Sequence, residues 1–277
     1  QNNNIGYKIF KKTVIITGAS SGIGKSLSLK LAKENFNVVL ASRNFNQLKK
    51  IAEEINLANG SALPVKTDIT DIESCQNLIS KSTNEFGQID YLILNAGLSM
   101  WARFDQIKDI SKFNELANVN FNGSVNSIHS SLECLKESSG TIVTITTAQA
   151  FIGFPKATFY SASKHALKGF LEGLELETKG KIQFINVYLG WIKETNLRAN
   201  AIGPNGEKIG DSHHKHSNKA VELDVCTDLI IKGIKQKKKN IFIPSYLKGI
   251  PFVKIFFNKW LFKKISNAVD SEELKNT

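Results

Sequence analysis

Tyr160 and Lys164, in the stretch YSASK, stand four residues apart with only small residues between them. On a helix such a pair shares one face, a turn apart. An ammonium held there favours the ionised form of the phenol. A free tyrosine titrates near ~10, too high for acid or base work at neutral pH, and a nearby cation lowers that value. The expected chemistry is proton donation with a tuned pKa. A second constellation stands in TVIITGASSGIGK, where Gly18, Gly22 and Gly24, with Ser20, Ser21 and Ile23, follow an apolar run and open an amphipathic segment. Small residues let the backbone approach a pyrophosphate, and a helix N-terminus offers unpaired N–H groups and a positive dipole end. The spacing is not GxGxxG, but the setting predicts a nucleotide site. The next apolar run ends in Ser42, Arg43 and Asn44, with no carboxylate for a ribose 2′-hydroxyl. A guanidinium suits a 2′-phosphate, so NADP(H) is predicted over NAD(H). A contact of ~1.5–3 kcal/mol gives about tenfold preference or more.

These groups need a scaffold that brings them together. Apolar runs rich in β-branched residues recur at 13–17, 38–41, 63–67, 91–95, 141–146 and 182–189, with a weaker one at 241–243. Helical periodicity fills 22–34, 45–58, 71–86, 111–135, 158–178 and 218–236. Strands that are apolar throughout and alternate with helices predict an α/β fold, a parallel sheet covered on both faces. No Pro/Ser-rich linker divides the chain. A single domain over 1–277 is expected, with a core of about 11–245 and a basic amphipathic extension over 246–277.

The composition narrows the function classes. The chain has 277 residues, 42% hydrophobic, enough for a sizeable core. Its net charge of +11 suits an anionic partner, but the excess is mostly Lys, spread out and denser towards the C-terminus. No nucleic-acid motif accompanies it, so no nucleic acid is expected. Cys75, Cys134 and Cys226 have neither metal nor disulfide spacing, which predicts a reducing compartment. The HHKH run at 213–216 lacks carboxylate or Cys companions, so no metal is expected. KQKKK at 235–239 reads as a solvated helix end. No apolar run is long enough to span a bilayer. A chain that opens on Gln1 raises the expectation of a preceding segment.

Four motifs in order, TGASSGIG, NAG at 95–97, VNFNG at 119–123 and YSASK, resemble the short-chain dehydrogenase/reductase family over roughly residues 11–245. The resemblance implies a Rossmann-type doubly wound sheet of about seven strands. It implies that Tyr160 is the general acid or base, that Lys164 lowers its pKa and holds the nicotinamide ribose, and that Asn120 holds a relay water. Asp68 and Ile69 would contact the adenine. Asn95, Ala96 and Gly97 would line the ribose side, and Gly190 and Ile192 the nicotinamide. Two departures stand out. Thr147 occupies the position of the family's Ser, with a hydroxyl for the same hydrogen bond and a methyl that crowds the pocket. Glu194 stands where the family has Thr, and Thr195 comes next, which puts the nicotinamide amide contact in doubt. Leu189-Gly190 resembles the membrane-associated branch containing the 11β-hydroxysteroid dehydrogenases.

The substrate is expected to be a lipophilic alcohol or carbonyl, because Met100, Trp101, Phe151, Phe154 and Trp191 should wall the pocket. In the tail, Val253, Phe256, Phe257, Trp260 and Leu261 would share one helical face, bordered by Lys254, Lys259, Lys263 and Lys264. That pattern suits peripheral contact of 251–266 with an anionic membrane, and equally a lid or a dimer contact. The expected location is intracellular, peripheral on the endoplasmic reticulum or another internal membrane, otherwise cytoplasmic. The family's habit of pairing through helices near 111–135 and 158–178 implies a homodimer or homotetramer. The alternatives are a silent dinucleotide-binding or membrane scaffold, and a reductase of small soluble carbonyls.

Overall fold

The computed structural model describes residues 11–210 and 220–273, with side chains described through residue 267. The HHKH run lies outside the described residues. Seven strands form the sheet: β1 (Thr13–Thr17), β2 (Asn37–Ser42), β3 (Ser61–Lys66), β4 (Tyr91–Leu94), β5 (Thr141–Thr147), β6 (Gln183–Leu189) and β7 (Asn240–Ile243). All their pairings are parallel, in the order β3-β2-β1-β4-β5-β6-β7. The helices are α1 (Gly22–Lys33), α2 (Phe45–Leu57), α3 (Ile72–Phe86), α4 (Ser111–Ala117), α5 (Gly123–Glu137), α6 (Thr158–Thr178), α7 (Leu223–Lys235), α8 (Ile250–Phe256) and α9 (Asn258–Glu273).

Strand alternation explains the continuous apolar runs. Val14, Ile16, Val38 and Leu40 join Leu27 of α1, Leu48 of α2 and Ile230 of α7 in one core. Their neighbours Ile15, Val39 and Ala41 point the other way, onto Leu78 of α3, Ile128 of α5 and Leu167 of α6. Each such buried aliphatic side chain contributes about 1.5–3 kcal/mol relative to exposure. The chain reverses its direction of travel between β1 and β4. The crevice at the carboxyl ends of those two strands is where such sheets bind ligands.

Three elements differ from the periodicity. The helix predicted over 111–135 is interrupted by a π-turn at Asn118–Asn122, between α4 and α5. The wider turn accommodates an extra residue, a feature common at functional sites. The helix predicted from 218 begins at Leu223. Residues 218 and 219 lie outside the described residues, and Val221 is extended because it pairs with Ile192. The tail is not one helix. It breaks at Phe257 (φ -130, ψ 37) into α8 and α9, so its apolar residues do not form one continuous stripe.

Candidate active site

The turn after β1 is built for close approach. Gly18 has φ +67, a left-handed conformation that costs L side chains energy. The Asn95 side chain donates to the carbonyls of Thr17 (3.0 Å) and Gly18 (3.2 Å), which ties this turn to the end of β4. The Thr17 hydroxyl accepts from the amides of Asn95 and Ala96 at 3.0 and 3.1 Å. Gly24 serves packing: a Cβ there would stand 2.4 Å from the Gly18 carbonyl oxygen. This bare backbone at the start of α1 fits the pyrophosphate of a dinucleotide, by the N–H groups and dipole end it presents.

One cavity of about 1240 Å³ runs from this turn to the C-terminal helices. It is lined by every site residue the sequence singled out except Gly24 and Asn120. At the cofactor end, Arg43 and Asp68 face it from the ends of β2 and β3. Burial would raise the Asp68 pKa. Hydrogen bonds from the Thr70 hydroxyl (2.8 Å) and amide (3.0 Å), with the Arg43 charge, outweigh burial and hold the carboxyl below its ordinary value. Asn44 also caps α2, accepting from the Gln47 amide at 3.2 Å.

At the centre, Tyr160 and Lys164 lie on one face of α6, buried to 8% and 6% exposure. The ammonium lies 5.6 Å from the centroid of the phenol ring. The expected lowering of the Tyr160 pKa is not what this arrangement gives: burial drives it up, because a phenolate would be poorly solvated there. Burial lowers Lys164 to about 8. Thr147 ends β5, and its hydroxyl oxygen accepts from the Gln149 amide at 3.3 Å, which leaves its own proton to donate into the cavity. Asn120, fully buried in the π-turn, accepts from the Leu98 amide (2.8 Å) and donates to the Leu98 carbonyl (2.9 Å) and the Ser163 hydroxyl (3.1 Å). A Cβ on Gly97 would lie 3.3 Å from Asn120 Oδ1 and 3.6 Å from Lys164 Nζ, so these three residues meet at one point.

The far end of the cavity is apolar and partly unexpected. Met100, Trp101, Phe154 and Trp191 line it as predicted. Phe151 does not; its ring packs on Tyr188 (4.5 Å) because the short turn after Thr147 directs it onto the sheet. Arg198 is inserted between Trp101 and Trp191, 4.5 Å from each ring centroid. The segment after β6 thereby folds back over the cavity, and the amides of Trp101 and Ile202 bond to Ile202 and Ser99 carbonyls at 2.9 Å. Glu194 adopts a left-handed conformation (φ 57) and brings Thr195 back beside the glycine turn. The Thr195 methyl stands 3.7 Å from where a Gly22 Cβ would be. Sequence reasoning missed Arg198, which lay in a polar stretch without periodicity. It also missed the cavity face of the tail, where Leu247, Ile250, Leu261 and Ile265 close the wall. Among the described residues no His, Cys, Asp and Glu grouping could hold a metal ion.

A parallel seven-stranded sheet with a glycine turn at its switch point, and a buried Tyr–Lys pair beside it, defines a class. The chain belongs to the short chain dehydrogenase family, whose model matches residues 12–204. Within it the chain sides with relatives named 11-beta-hydroxysteroid dehydrogenase. It is 33% identical over 250 residues to the protein of that name from Pinus massoniana, covering 88% of this chain and 70% of the relative. It is 29% identical over 245 residues to 11-beta-hydroxysteroid dehydrogenase 1A of Arabidopsis thaliana, covering 87% and 70%. The fold is shared with a short chain dehydrogenase/reductase from Burkholderia phymatum in complex with NAD: TM-score 0.76, 18% identity, 90% of this chain and 95% of that one. It is shared too with an alcohol dehydrogenase from Thermococcus sibiricus complexed with 5-hydroxy-NADP: TM-score 0.72, 21% identity, 84% and 95% covered. The chain is therefore an oxidoreductase of alcohol and carbonyl groups, of a family that binds nicotinamide dinucleotides.

Proposed function

We propose that this chain is an NADP(H)-dependent oxidoreductase that interconverts a lipophilic alcohol, steroid-, retinoid- or lipid-like, with its ketone or aldehyde. The observation that carries this reading is the position of Tyr160, Lys164 and Thr147, where the glycine-turn end of the cavity meets its apolar end. Arg43 would hold the 2′-phosphate, and the glycine turn the pyrophosphate. When bound, the dinucleotide supplies or takes the hydride.

The chain's own residues handle the proton and the oxygen. Thr147 donates to the substrate oxygen and fixes its position. Tyr160, kept neutral by burial, gives its proton to that oxygen during reduction and takes it back during oxidation. Lys164, lowered to about 8, is still mainly an ammonium at neutral pH and stabilises the phenolate left behind. Asn120 fixes the Leu98 backbone and the wall facing Lys164. The apolar walls exclude water from the reacting centre and fit a lipophilic body.

Two further features support the partners read from the sequence. The outer face of α6 carries the exposed small residues Ala162, Ala166, Gly169 and Gly173, which suit a close helix contact in a homodimer or homotetramer. The outer face of 251–266 is aromatic and flanked by Lys, which fits peripheral contact with an internal membrane such as the endoplasmic reticulum. No described helix is long and apolar enough to cross a membrane.

Calorimetric titration with NADPH and NADH, followed by a screen of lipophilic ketones and aldehydes with NADPH, tests the proposal. Tighter NADPH binding with turnover of such carbonyls is expected. Binding of neither nucleotide would overturn it in favour of a silent scaffold.

A further inference from the structure

The helices α8 and α9 have two faces with different neighbours. On the inner side Ile250, Leu261 and Ile265 line the same cavity as Tyr160. Leu261 and Ile265 are one turn apart, so they share that face. On the outer side Phe252, Ile255, Phe256, Phe257, Trp260 and Phe262 are exposed, Ile255 to 74% and Trp260 to 55%. This is a contiguous stretch of large apolar side chains of the kind that marks an interaction surface. The residues interleaved with it are cationic: Lys254, Lys259, Lys263 and Lys264, with no acidic residue from 245 to 266. Aromatic rings among lysines match an anionic bilayer surface, where rings enter the headgroup boundary and ammoniums meet phosphate. A second copy of this chain would bring the same cations together, which argues against self-association through this face.

One of these lysines also reaches into the active-site region. Lys254 Nζ donates to the Phe151 carbonyl at 2.6 Å. Phe151 lies in the turn that follows Thr147. This bond ties α8 to the wall of the cavity nearest the reacting centre. It is the point where an anionic phosphate could compete for the same ammonium, since a charge-assisted bond to phosphate is stronger than one to a neutral carbonyl.

We propose that α8 and α9 form the entrance of the substrate cavity: their outer aromatic face seats on an anionic bilayer, and Lys254 latches the entrance to the Phe151 carbonyl until lipid headgroups draw it away. A lipophilic substrate then passes from the bilayer between Ile250, Leu261 and Ile265 without crossing water. The inference deepens the membrane contact given above and relies on the reductase reading only for the kind of substrate admitted.

The experiment uses the chain's three tryptophans, Trp101, Trp191 and Trp260, as contact-range reporters. In the variant W101F/W191F, only Trp260 fluoresces. Vesicles of phosphatidylserine and brominated phosphatidylcholine should quench it, and vesicles of brominated phosphatidylcholine alone should do so at least about tenfold less well. No quenching by the anionic vesicles, or equal quenching by both, overturns the seating. In W260F only the two cavity tryptophans fluoresce. A brominated long-chain methyl ketone dissolved in anionic vesicles should quench them, and the same ketone in neutral vesicles should not. The latch predicts that Lys254→Met in the W260F background restores quenching from neutral vesicles. Absence of quenching in all these cases, or a Lys254→Met variant that behaves as its parent, overturns the entrance. Both readouts are binding measurements. If they succeed while no carbonyl is turned over, the reductase reading fails and the entrance stands.

Discussion

Asn120 grips Leu98 by both backbone groups, its carboxamide oxygen on the amide at 2.8 Å and its nitrogen on the carbonyl at 2.9 Å. With the bond to Ser163, both protons of the carboxamide nitrogen are used. One lone pair of the oxygen remains for a relay water, so holding the wall opposite Lys164 is the larger part of its work. Asn120→Leu should destabilise the fold by about 1–3 kcal/mol, through the unpaired groups it leaves. Asn120→Asp, which keeps the acceptor, should recover part of this. Urea unfolding of both variants is the measurement, and equal loss in the two would contradict the pairing.

Tyr160→Phe removes the proton donor and little else. Turnover of any carbonyl substrate should fall by about 10²–10⁴-fold. NADPH affinity should change far less, because the phenyl ring still fills its place. Thr147→Val should lower turnover as well, and Thr147→Ser should restore it. Single-turnover kinetics beside calorimetry separates these effects.

Arg43→Ala should abolish any preference for NADPH over NADH by weakening NADPH alone, about tenfold or more. A parallel loss of both nucleotides would instead assign Arg43 to Asp68 and the local fold.

Lys164 makes a pH-dependent contribution with a defined sign. Its folded value, about 8, lies below its ordinary 10.5. Below pH 8 both folded and unfolded chains hold the proton, and the burial penalty on the ammonium is present in full. Between 8 and 10.5 the unfolded chain binds more protons, so this contribution to stability improves as pH rises. Lys164→Met should therefore be more stable than its parent at neutral pH, with an advantage that shrinks through that window. Denaturant titrations of the nucleotide-free proteins at several pH values check it. A difference independent of pH would count against the buried ammonium.

Gly24→Ala tests close packing. The new methyl would meet the Gly18 carbonyl oxygen at 2.4 Å, which backbone cannot yield cheaply. A loss of about 1–3 kcal/mol is expected, with weaker nucleotide binding. Gly173→Ala, on the exposed face of α6 where nothing lies within 4 Å, should instead be neutral or stabilising, by up to about 1 kcal/mol. Thermal melts of the pair decide it.

The sheet was legible in the sequence because both its faces are buried, so each strand reads as an unbroken apolar run. The cofactor end was legible because Gly18, Arg43, Asp68 and Asn95 sit at strand ends, where local spacing sets their place. The substrate end was less so. Trp101 and Trp191 were visible as aromatics, but the Arg198 between them comes from a segment with no periodicity. Phe151 was assigned to the cavity on residue type alone, and a short helical turn directs it away. The tail's composition indicated an amphipathic element. Nothing in it indicated the break at Phe257, nor that a second apolar side closes the cavity. The Tyr160 pKa was misjudged because a pairwise cation was weighed without the burial that acts on phenol and ammonium alike.

The π-turn at Asn118–Asn122 works as a phase shifter. One extra residue advances everything after it by about 100° of rotation along the helix. The chain before and after the turn can thus answer to different neighbours: Phe113 and Leu116 of α4 pack near Tyr160, while Ile128 and Leu135 of α5 pack on the sheet. A deletion of one residue here would regularise the helix and make it locally more comfortable. It would also put those two sets of contacts out of register and swing Asn120 away from Leu98. The irregular turn thus acts as a timing mark, and a chain that lost it could keep every motif and still misplace the wall beside its proton donor.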